Sequence, residues 1–460
     1  MKVIKQARVA PRKSWESLSR LEIEALLCLQ KKEVFGVFKR SAFAVLISEI
    51  EETDLEELEE RYHQFDIRIK LRSNSIELEL KNAPSTAFVD GKMIAGIEEH
   101  LFAVVRDVLL KEINPFQFPS QHCGKMNAEA VATDEVFFWL RRAGIFDSVA
   151  EAKLVVCWGG HIIDDKEYHY SKTVGYELGL RSLDICTGSG PGAMRAPMEG
   201  AAIAHAKDRT LDARYIGITE PSIIATESPN TIVNHLILMP NVEIRLEAFV
   251  RLAHGIIIFP GGVGTLEELF FLLGLLMHPK NQNPSIRPNI ILTGPREAER
   301  YFELIDQFVG DVLGLEAQQK YKIIVNHPTL VAQEITQGIE QFRQQRAASH
   351  QSMHFNWELA ISQDLQKAFK PSHSTMGLIQ IQDAEPHILA ANFRRFFSAI
   401  ATGHVKREGI EAVKKEKFVI QAEKRFHKLI MSLMDKLTEE KRIRLNNGVY
   451  EPCFRLIESN

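Results

Sequence analysis

The spacing of hydrophobic positions changes twice along this chain, and the two changes divide it into three stretches. In the first, residues 1–148, two short runs alternate strictly. Ile67, Ile69 and Leu71 alternate with Arg68, Lys70 and Arg72, and Ile76, Leu78 and Leu80 alternate with Glu77, Glu79 and Lys81. A period of two sends one face of a strand to the core and the other to water. Ser73-Asn74 fits a two-residue turn, so a hairpin is predicted between Asp66–Arg72 and Ser75–Lys81. Acidic Glu51–Glu60 and apolar-striped Gly96–Glu112 read as helices. Pro115, Pro119 and Gly124 mark Asn114–Gly124 as a connection. This stretch is predicted to be an α+β domain.

From residue 149 to 340 short apolar runs alternate with helical stretches: Leu154–Trp158, Leu183–Thr187, Tyr215–Thr219, Gly255–Phe259, Asn289–Thr293 and Tyr321–Val325. Most are apolar on both faces, as parallel strands covered by helices must be. The pattern predicts an α/β fold, a doubly wound, mostly parallel Rossmann-like sheet that binds ligands at the carboxyl ends of its strands. Gln341–Gln351 is mostly polar, and residues 341–460 read as mainly helical, with helices over Pro386–Val405 and Phe418–Thr438. The run after Thr265, ELFFLLGLLM, is apolar around most of a helix and needs a cover. The cover is another domain or another subunit, of which the subunit is the more economical, so a homo-oligomer, dimer or tetramer, is expected.

Composition narrows the function classes. Lys and Arg total 56 against 60 Asp and Glu, a net charge of −4, so no basic field points to nucleic acid. No apolar run approaches a membrane span, and the basic N-terminus lacks the apolar segment of a signal peptide. The expected location is the cytoplasm. Five scattered cysteines and sixteen histidines form no metal-ligand spacing, so neither a metal nor a cofactor is expected. His161 with Asp164-Asp165, and Glu98-Glu99-His100, read as surface polar groups.

Three glycine clusters each follow a predicted strand: Gly159-Gly160, Gly188-Ser189-Gly190-Pro191-Gly192 and Gly261-Gly262-Val263-Gly264. Glycine lets backbone approach a ligand closely, and the N–H groups at a following helix start favour an anion. Three such turns in one sheet point to a nucleotide. The third is no Walker A loop, because the Lys-Ser/Thr end is missing. The second fits a loose dinucleotide fingerprint, Gly188-x-Gly190-x-x-Ala193, without a clearly placed acidic residue about 20 positions on. Thr265 and Glu268 have the spacing of a capping box, a reading that coexists with a catalytic one. A carboxylate at a helix start would be held ionised, which suits it to stabilise positive charge and makes it a poor general acid.

The stretch PGGVGTLEE, residues 260–268, matches the PGGxGTxxE signature of the LOG family of nucleotide phosphoribohydrolases, whose members have often carried a lysine decarboxylase label. The family's upstream arginine falls on Arg245, 15 residues before Pro260 and 23 before Glu268. GSGPGAMRAPMEGA resembles the family's nucleotide-lining segment, and Cys157-Trp158-Gly159-Gly160 takes the place of its first phosphate-side loop. Long extensions on both sides resemble the large bacterial pyrimidine/purine nucleotide 5′-monophosphate nucleosidases. The resemblance implies hydrolysis of nucleoside 5′-monophosphates to free base and ribose 5-phosphate. It implies Glu268 and Arg245 as the catalytic pair. Gly261, Gly262, Gly264 and Thr265 would bind phosphate, and Gly159, Gly160, Gly188, Ser189, Gly190 and Met194 would line the rest of the site. Leu246 stands where plant-type members have a lysine, which weighs against a cytokinin precursor as substrate.

Two other classes fit parts of the pattern. A nucleotide sensor or carrier would use the same loops without chemistry. A pyridoxal-phosphate decarboxylase would need a Schiff-base lysine beside a phosphate site, and the glycine turns carry none. Met194 and Met198, four apart, read first as packing residues, and Glu199 as a candidate ribose or base contact. Arg68, Lys70 and Arg72 share a strand face that would suit a polyphosphate effector, and the subgroup resemblance suggests (p)ppGpp. Cross-strand pairs Lys70–Glu77 and Arg68–Glu79 are the ordinary alternative. The basic cluster around Lys406 and Lys414–Lys417 reads as a solvated face.

Overall fold

The computed structural model describes residues 3–11, 18–50, 55–72, 75–113, 128–146, 151–283, 287–443 and 450–458. Its centre is a seven-stranded sheet in the spatial order Lys322–Val325, Asn289–Gly294, Gly255–Ile258, Leu154–Trp158, Asp184–Thr187, Tyr215–Thr219, His235–Leu238. Every neighbouring pair is parallel. Six of these strands are the predicted ones. The seventh, His235–Leu238, was not among them. The chain winds outward from Leu154–Trp158 to His235–Leu238, then returns to place Gly255–Ile258 on the other flank of the first strand. That reversal is the switch point at which open α/β sheets leave a crevice.

Two helices on one face, Asp165–Gly179 and Arg195–Asp208, cross at near contact. A Cβ at Gly200 would lie 1.9 Å from the carbonyl of Lys172, and one at Gly175 2.0 Å from that of Pro197. Only glycine allows this approach, which fixes the loop leading into Arg195–Asp208.

The N-terminal region forms an antiparallel sheet with Ser75–Pro84 between Val3–Val9 and Asp66–Arg72. The predicted register holds, with Lys70 opposite Glu77 and Arg68 opposite Glu79. The turn Ser73-Asn74 and the Arg72 side chain lie outside the described residues, as does the expected connection Asn114–Gly124. The expected ion pairs are replaced. Val3–Val9 occupies the far edge and brings Arg8 within 3.5 Å of Glu77, while Lys70 reaches Glu79 at 3.7 Å and Arg68 bonds Asp66 at 2.9 Å. Ile67, Ile69, Ile76, Leu78 and Leu80 are buried as the alternation requires, but Leu71 is exposed. The Gly96–Glu112 stretch is helical, with a π-helical segment at Val105–Leu110. His100 is buried, not superficial: its Nε2 lies 2.7 Å from the carbonyl oxygen of Val233, and burial lowers its pKa.

The C-terminal region is mainly helical, with one correction. Phe418–Ala422 is not helix but the middle strand of a small parallel sheet with Gln380–Ile381 and Phe454–Glu458. Phe418, Ile420 and Ala422 are buried while Val419 and Gln421 are not, a period of two that sets this segment apart from the helix Lys424–Glu439. The helix Pro328–Ala348 runs straight through the expected break at 340.

The apolar helix Val263–Leu276 is covered from within the chain. Phe270 meets Phe393 and Phe397 of the helix Pro386–Val405 at ring-centroid distances of 5.3 and 5.2 Å, and Phe308 at 5.9 Å. The expectation that this face is covered by a second subunit is therefore overturned. Among the described residues no helix is long and apolar enough to cross a membrane.

Candidate active site

The three glycine turns converge at the switch point. Gly160 N–H donates to the carbonyl of Pro260 at 3.0 Å, and Ala193 N–H donates to that of Gly160 at 3.0 Å, so the three loops are laced together by backbone. In the second loop Ser189 and Gly192 have φ of 69° and 64°. The Ser189 conformation is over-determined. Its N–H bonds the Thr187 hydroxyl at 3.1 Å, and its carbonyl accepts from the backbone and side-chain nitrogens of Asn230 at 2.7 and 2.8 Å. The Ser189 side chain itself is buried against Gly217, so this residue shapes the loop. Met194 packs against Gly188 and Gly190 of this loop, while Met198 is wholly buried.

The helix Val263–Leu276 begins with Gly262 as N-cap and no side-chain cap. The expected capping box is therefore absent: Thr265 sits inside the first turn and Glu268 in the second. Thr265 instead tucks its hydroxyl under Gly261, where an added Cβ would lie 2.0 Å from Oγ1. This contact shows why the turn needs glycine. Gly261 N–H bonds the Tyr301 hydroxyl at 3.3 Å, and burial pushes that phenol up to about 12, so it stays protonated. Gly264 is exposed with open space around it, leaving the helix start accessible to an anion.

Arg245 and Glu268 are brought together. Arg245 belongs to the helix Val242–Leu252, capped by the Asn241 side chain. Its Nε donates to the carbonyl of Ile218 at 2.9 Å, its guanidinium lies 5.2 Å from the Phe249 ring, and Nη2 is 3.8 Å from Glu268 Oε1. The side chains are 8% and 13% exposed. Burial pushes the Glu268 carboxyl up to about 8. Arg245 opposes the shift, and Glu267 and Glu227 add to it. The expectation that the helix start would hold Glu268 ionised is corrected: desolvation outweighs the dipole.

The same loops bring Glu227 and His161 beside Met194 and Arg245. A Cβ on Gly188 would lie 2.5 Å from Arg245 Nη2 and 2.7 Å from Met194 Sδ. One on Gly190 would lie 2.6 Å from Met194 Cε and 2.7 Å from Glu227 Oε2. Glu227 Oε1 is 3.2 Å from His161 Nδ1. His161 thus belongs to the site loops rather than to a solvated surface. No motif marks this pair, since its members lie on separate loops. Glu199 does not reach the site; it is held by Tyr168 and Lys172, which keep its carboxyl below the usual range despite partial burial.

The C-terminal region also enters. The carbonyl of Arg442 lies 2.6 Å from where a Cβ on Gly262 would stand, and its guanidinium pairs with Glu167. Lys406 is no solvated charge: it bonds the Ser222 hydroxyl at 3.0 Å and pairs with Glu220 at 3.3 Å. Arg394, fully buried, pairs with Glu243 at 2.5 Å and Glu267 at 3.2 Å. No cluster of potential metal ligands occurs among the described residues.

Fold and site together define a nucleotide-binding α/β hydrolase domain of LOG type, flanked by two further regions. Family models agree along the chain. Residues 7–114 match "Pyrimidine/purine nucleotide 5′-monophosphate nucleosidases", residues 339–457 match the C-terminal region of the same enzymes, and residues 194–335 match "Possible lysine decarboxylase". The chain is 42% identical over 453 residues to the pyrimidine/purine nucleotide 5′-monophosphate nucleosidase of Escherichia coli K12, covering 97% of this chain and 99% of that protein. The proteins of strains O6:H1 and O157:H7 match equally. The chain belongs to this nucleosidase family. Among solved structures, a molybdenum cofactor binding protein from Rippkaea orientalis aligns with 43% of this chain and 99% of its own, at 19% identity and a TM-score of 0.30. The molybdenum cofactor carrier protein of Chlamydomonas reinhardtii covers 42%, at 16% identity and a TM-score of 0.27.

Proposed function

We propose that this chain hydrolyses the N-glycosidic bond of purine and pyrimidine nucleoside 5′-monophosphates to free base and ribose 5-phosphate, with water as acceptor and no cofactor. The observation that carries the reading is the Arg245–Glu268 pair, 3.8 Å apart and nearly buried at the switch-point crevice beside an accessible glycine turn. The helix start at Gly262–Gly264 binds the 5′-phosphate through backbone N–H groups, Gly261 and Thr265 shape that turn, and Gly159, Gly160, Gly188, Gly190 and Met194 line the nucleoside side. Breaking the bond develops oxocarbenium-like charge on the ribose. Ionised Glu268 stabilises that charge and accepts the proton of the attacking water, while Arg245 orients it. Incubation with AMP, GMP, IMP, CMP and UMP, following base and ribose 5-phosphate by chromatography, tests the reading. Release from monophosphates but not from nucleosides is expected; binding without release would favour a sensor.

Because the working form of Glu268 is the anion and its pKa is raised to about 8, kcat/KM should climb as pH rises from 6 toward 8. An initial-rate profile on 4-nitrophenyl β-D-ribofuranoside 5-phosphate, whose leaving group needs no proton, checks this, and activity that falls over that interval would assign Glu268 the opposite, proton-donating role.

Arg68, Lys70 and Arg72 are proposed to bind a (p)ppGpp effector. Arg68 and Lys70 are about half exposed, and Arg8 joins them on the same sheet surface. Adding (p)ppGpp should change the rate, and Arg68→Ala with Lys70→Ala should abolish the response without altering basal turnover. An unchanged response in the double variant would move the effector elsewhere. The family resemblance supports a homo-oligomer, dimer or tetramer, which light scattering checks. A monophosphate substrate supports a role in purine and pyrimidine salvage in the cytoplasm, a location that cell fractionation checks.

A further inference from the structure

Glycosidic cleavage has two sides. Glu268 and Arg245 serve the ribose, but a departing purine or pyrimidine anion is a poor leaving group unless it takes up a proton or a strong hydrogen bond. Neither Arg245 nor ionised Glu268 is suited to supply that proton. The site loops hold another candidate. His161 follows the Gly159-Gly160 turn at the end of the strand Leu154–Trp158, next to the phosphate turn in the sheet. Its backbone is pinned against the second loop, since a Cβ on Gly192 would lie 2.4 Å from the His161 carbonyl. Its ring keeps 36% exposure, enough to meet a ligand.

The ring is oriented from one side. Glu227 Oε1 lies 3.2 Å from Nδ1, and the Glu227 side chain is only 17% exposed. The other oxygen of Glu227 packs at Gly190 beside Met194, whose sulfur in turn packs at Gly188 beside Arg245. Glu227 is close enough to Glu268 to act on its charge. A nucleotide with its phosphate on the Gly261–Thr265 turn and C1′ at Glu268 must extend its base over these loops. A histidine held by a carboxylate at Nδ1 presents Nε2 to a ligand, the arrangement in which a third group fixes the ring for proton transfer.

We propose that His161, oriented by Glu227, protonates the departing nucleobase. This deepens the nucleosidase reading and rests on it. In the step, the C1′–N bond breaks and its electron pair goes to the base, which takes the Nε2 proton of the imidazolium. Water forms the new C1′–O bond and gives its proton to Glu268. Solvent then returns a proton to His161 and takes one from Glu268. His161 is the catalytic residue here, and Glu227 is a positioning residue.

The test compares two leaving groups in the full-length enzyme. The adenine of AMP must leave with a proton, whereas 4-nitrophenyl β-D-ribofuranoside 5-phosphate releases a phenolate that needs none. His161→Asn should lower kcat for AMP by about 10²-fold and leave release of 4-nitrophenolate within about threefold. Glu227→Gln should show the same selective loss, more weakly. Equal losses on both substrates would overturn the proposal, because His161 would then serve binding or folding. Undiminished AMP turnover in His161→Asn would overturn it as well. Wild-type enzyme failing on AMP itself would instead sink the nucleosidase reading, so the two failures are told apart.

Discussion

Glu268→Gln is expected to lower kcat for nucleotide hydrolysis by roughly 10³-fold while leaving the Kd of the nucleotide largely unchanged. Gln keeps the shape of Glu, and the Arg245 contact at 3.8 Å survives as a neutral one. The phosphate turn is not touched by the change. What is lost is the charge that meets the oxocarbenium-like ribose and the basic oxygen that takes the proton of water. Normal turnover in the variant would reduce Glu268 to a structural role. Stability should move the other way. Folding raises the Glu268 pKa from 4.5 to about 8, so the native state holds this proton more tightly than the unfolded chain does. The stabilising linkage is complete below pH 4.5 and is lost as pH rises through 8. Glu268→Gln escapes that loss, so its Tm relative to wild type should increase between pH 5 and pH 9. The gain should be on the order of a few kcal/mol at most, since the side chain keeps 13% exposure. A higher Tm with lost activity would mark a site that trades stability for chemistry.

The central sheet was largely legible, because parallel strands buried on both faces write themselves as short apolar runs between helical patterns. The hairpin register was legible for a simpler reason, since a two-residue turn fixes which residues face each other. The ion pairs were not, because Arg8 arrives from Val3–Val9, a strand with no local sign of where it docks. The same division runs through the site. Arg245 and Glu268 could be named from a motif and a spacing. The ionisation of Glu268 could not, since a helix start favours the anion and only the depth of burial reverses the sign. His161 and Glu227 meet across loops that follow different strands, and no periodicity connects them. The apolar face of Val263–Leu276 demanded a cover, but the phenylalanines that supply it lie more than 100 residues on.

That cover carries the largest expected effect on stability. Arg394→Met should destabilise the protein by about 3–5 kcal/mol, the usual result of removing one partner from a buried ionic network. Arg394 is wholly buried on the helix Pro386–Val405. It reaches Glu243, two residues before Arg245, and Glu267, immediately before Glu268. It therefore ties together the two helices that carry the catalytic pair. Glu243 also accepts from the backbone N–H of Phe369, and the Ser398 hydroxyl bonds Glu267. Burial already raises the Glu267 pKa and Arg394 opposes that shift. Without the guanidinium both carboxylates would be left buried without their cation, and the Glu267 pKa would rise further. Protonation removes the penalty, so the deficit of the variant should shrink as pH falls from 7 toward 5. Denaturant melts at the two pH values check this. Adding Glu243→Gln and Glu267→Gln to Arg394→Met removes the stranded charges. The triple variant should recover most of the lost stability. If Arg394→Met alone unfolds no more easily than wild type, the network is not what fastens the C-terminal region to the catalytic helix, and the phenylalanine packing around Phe270 must do so alone.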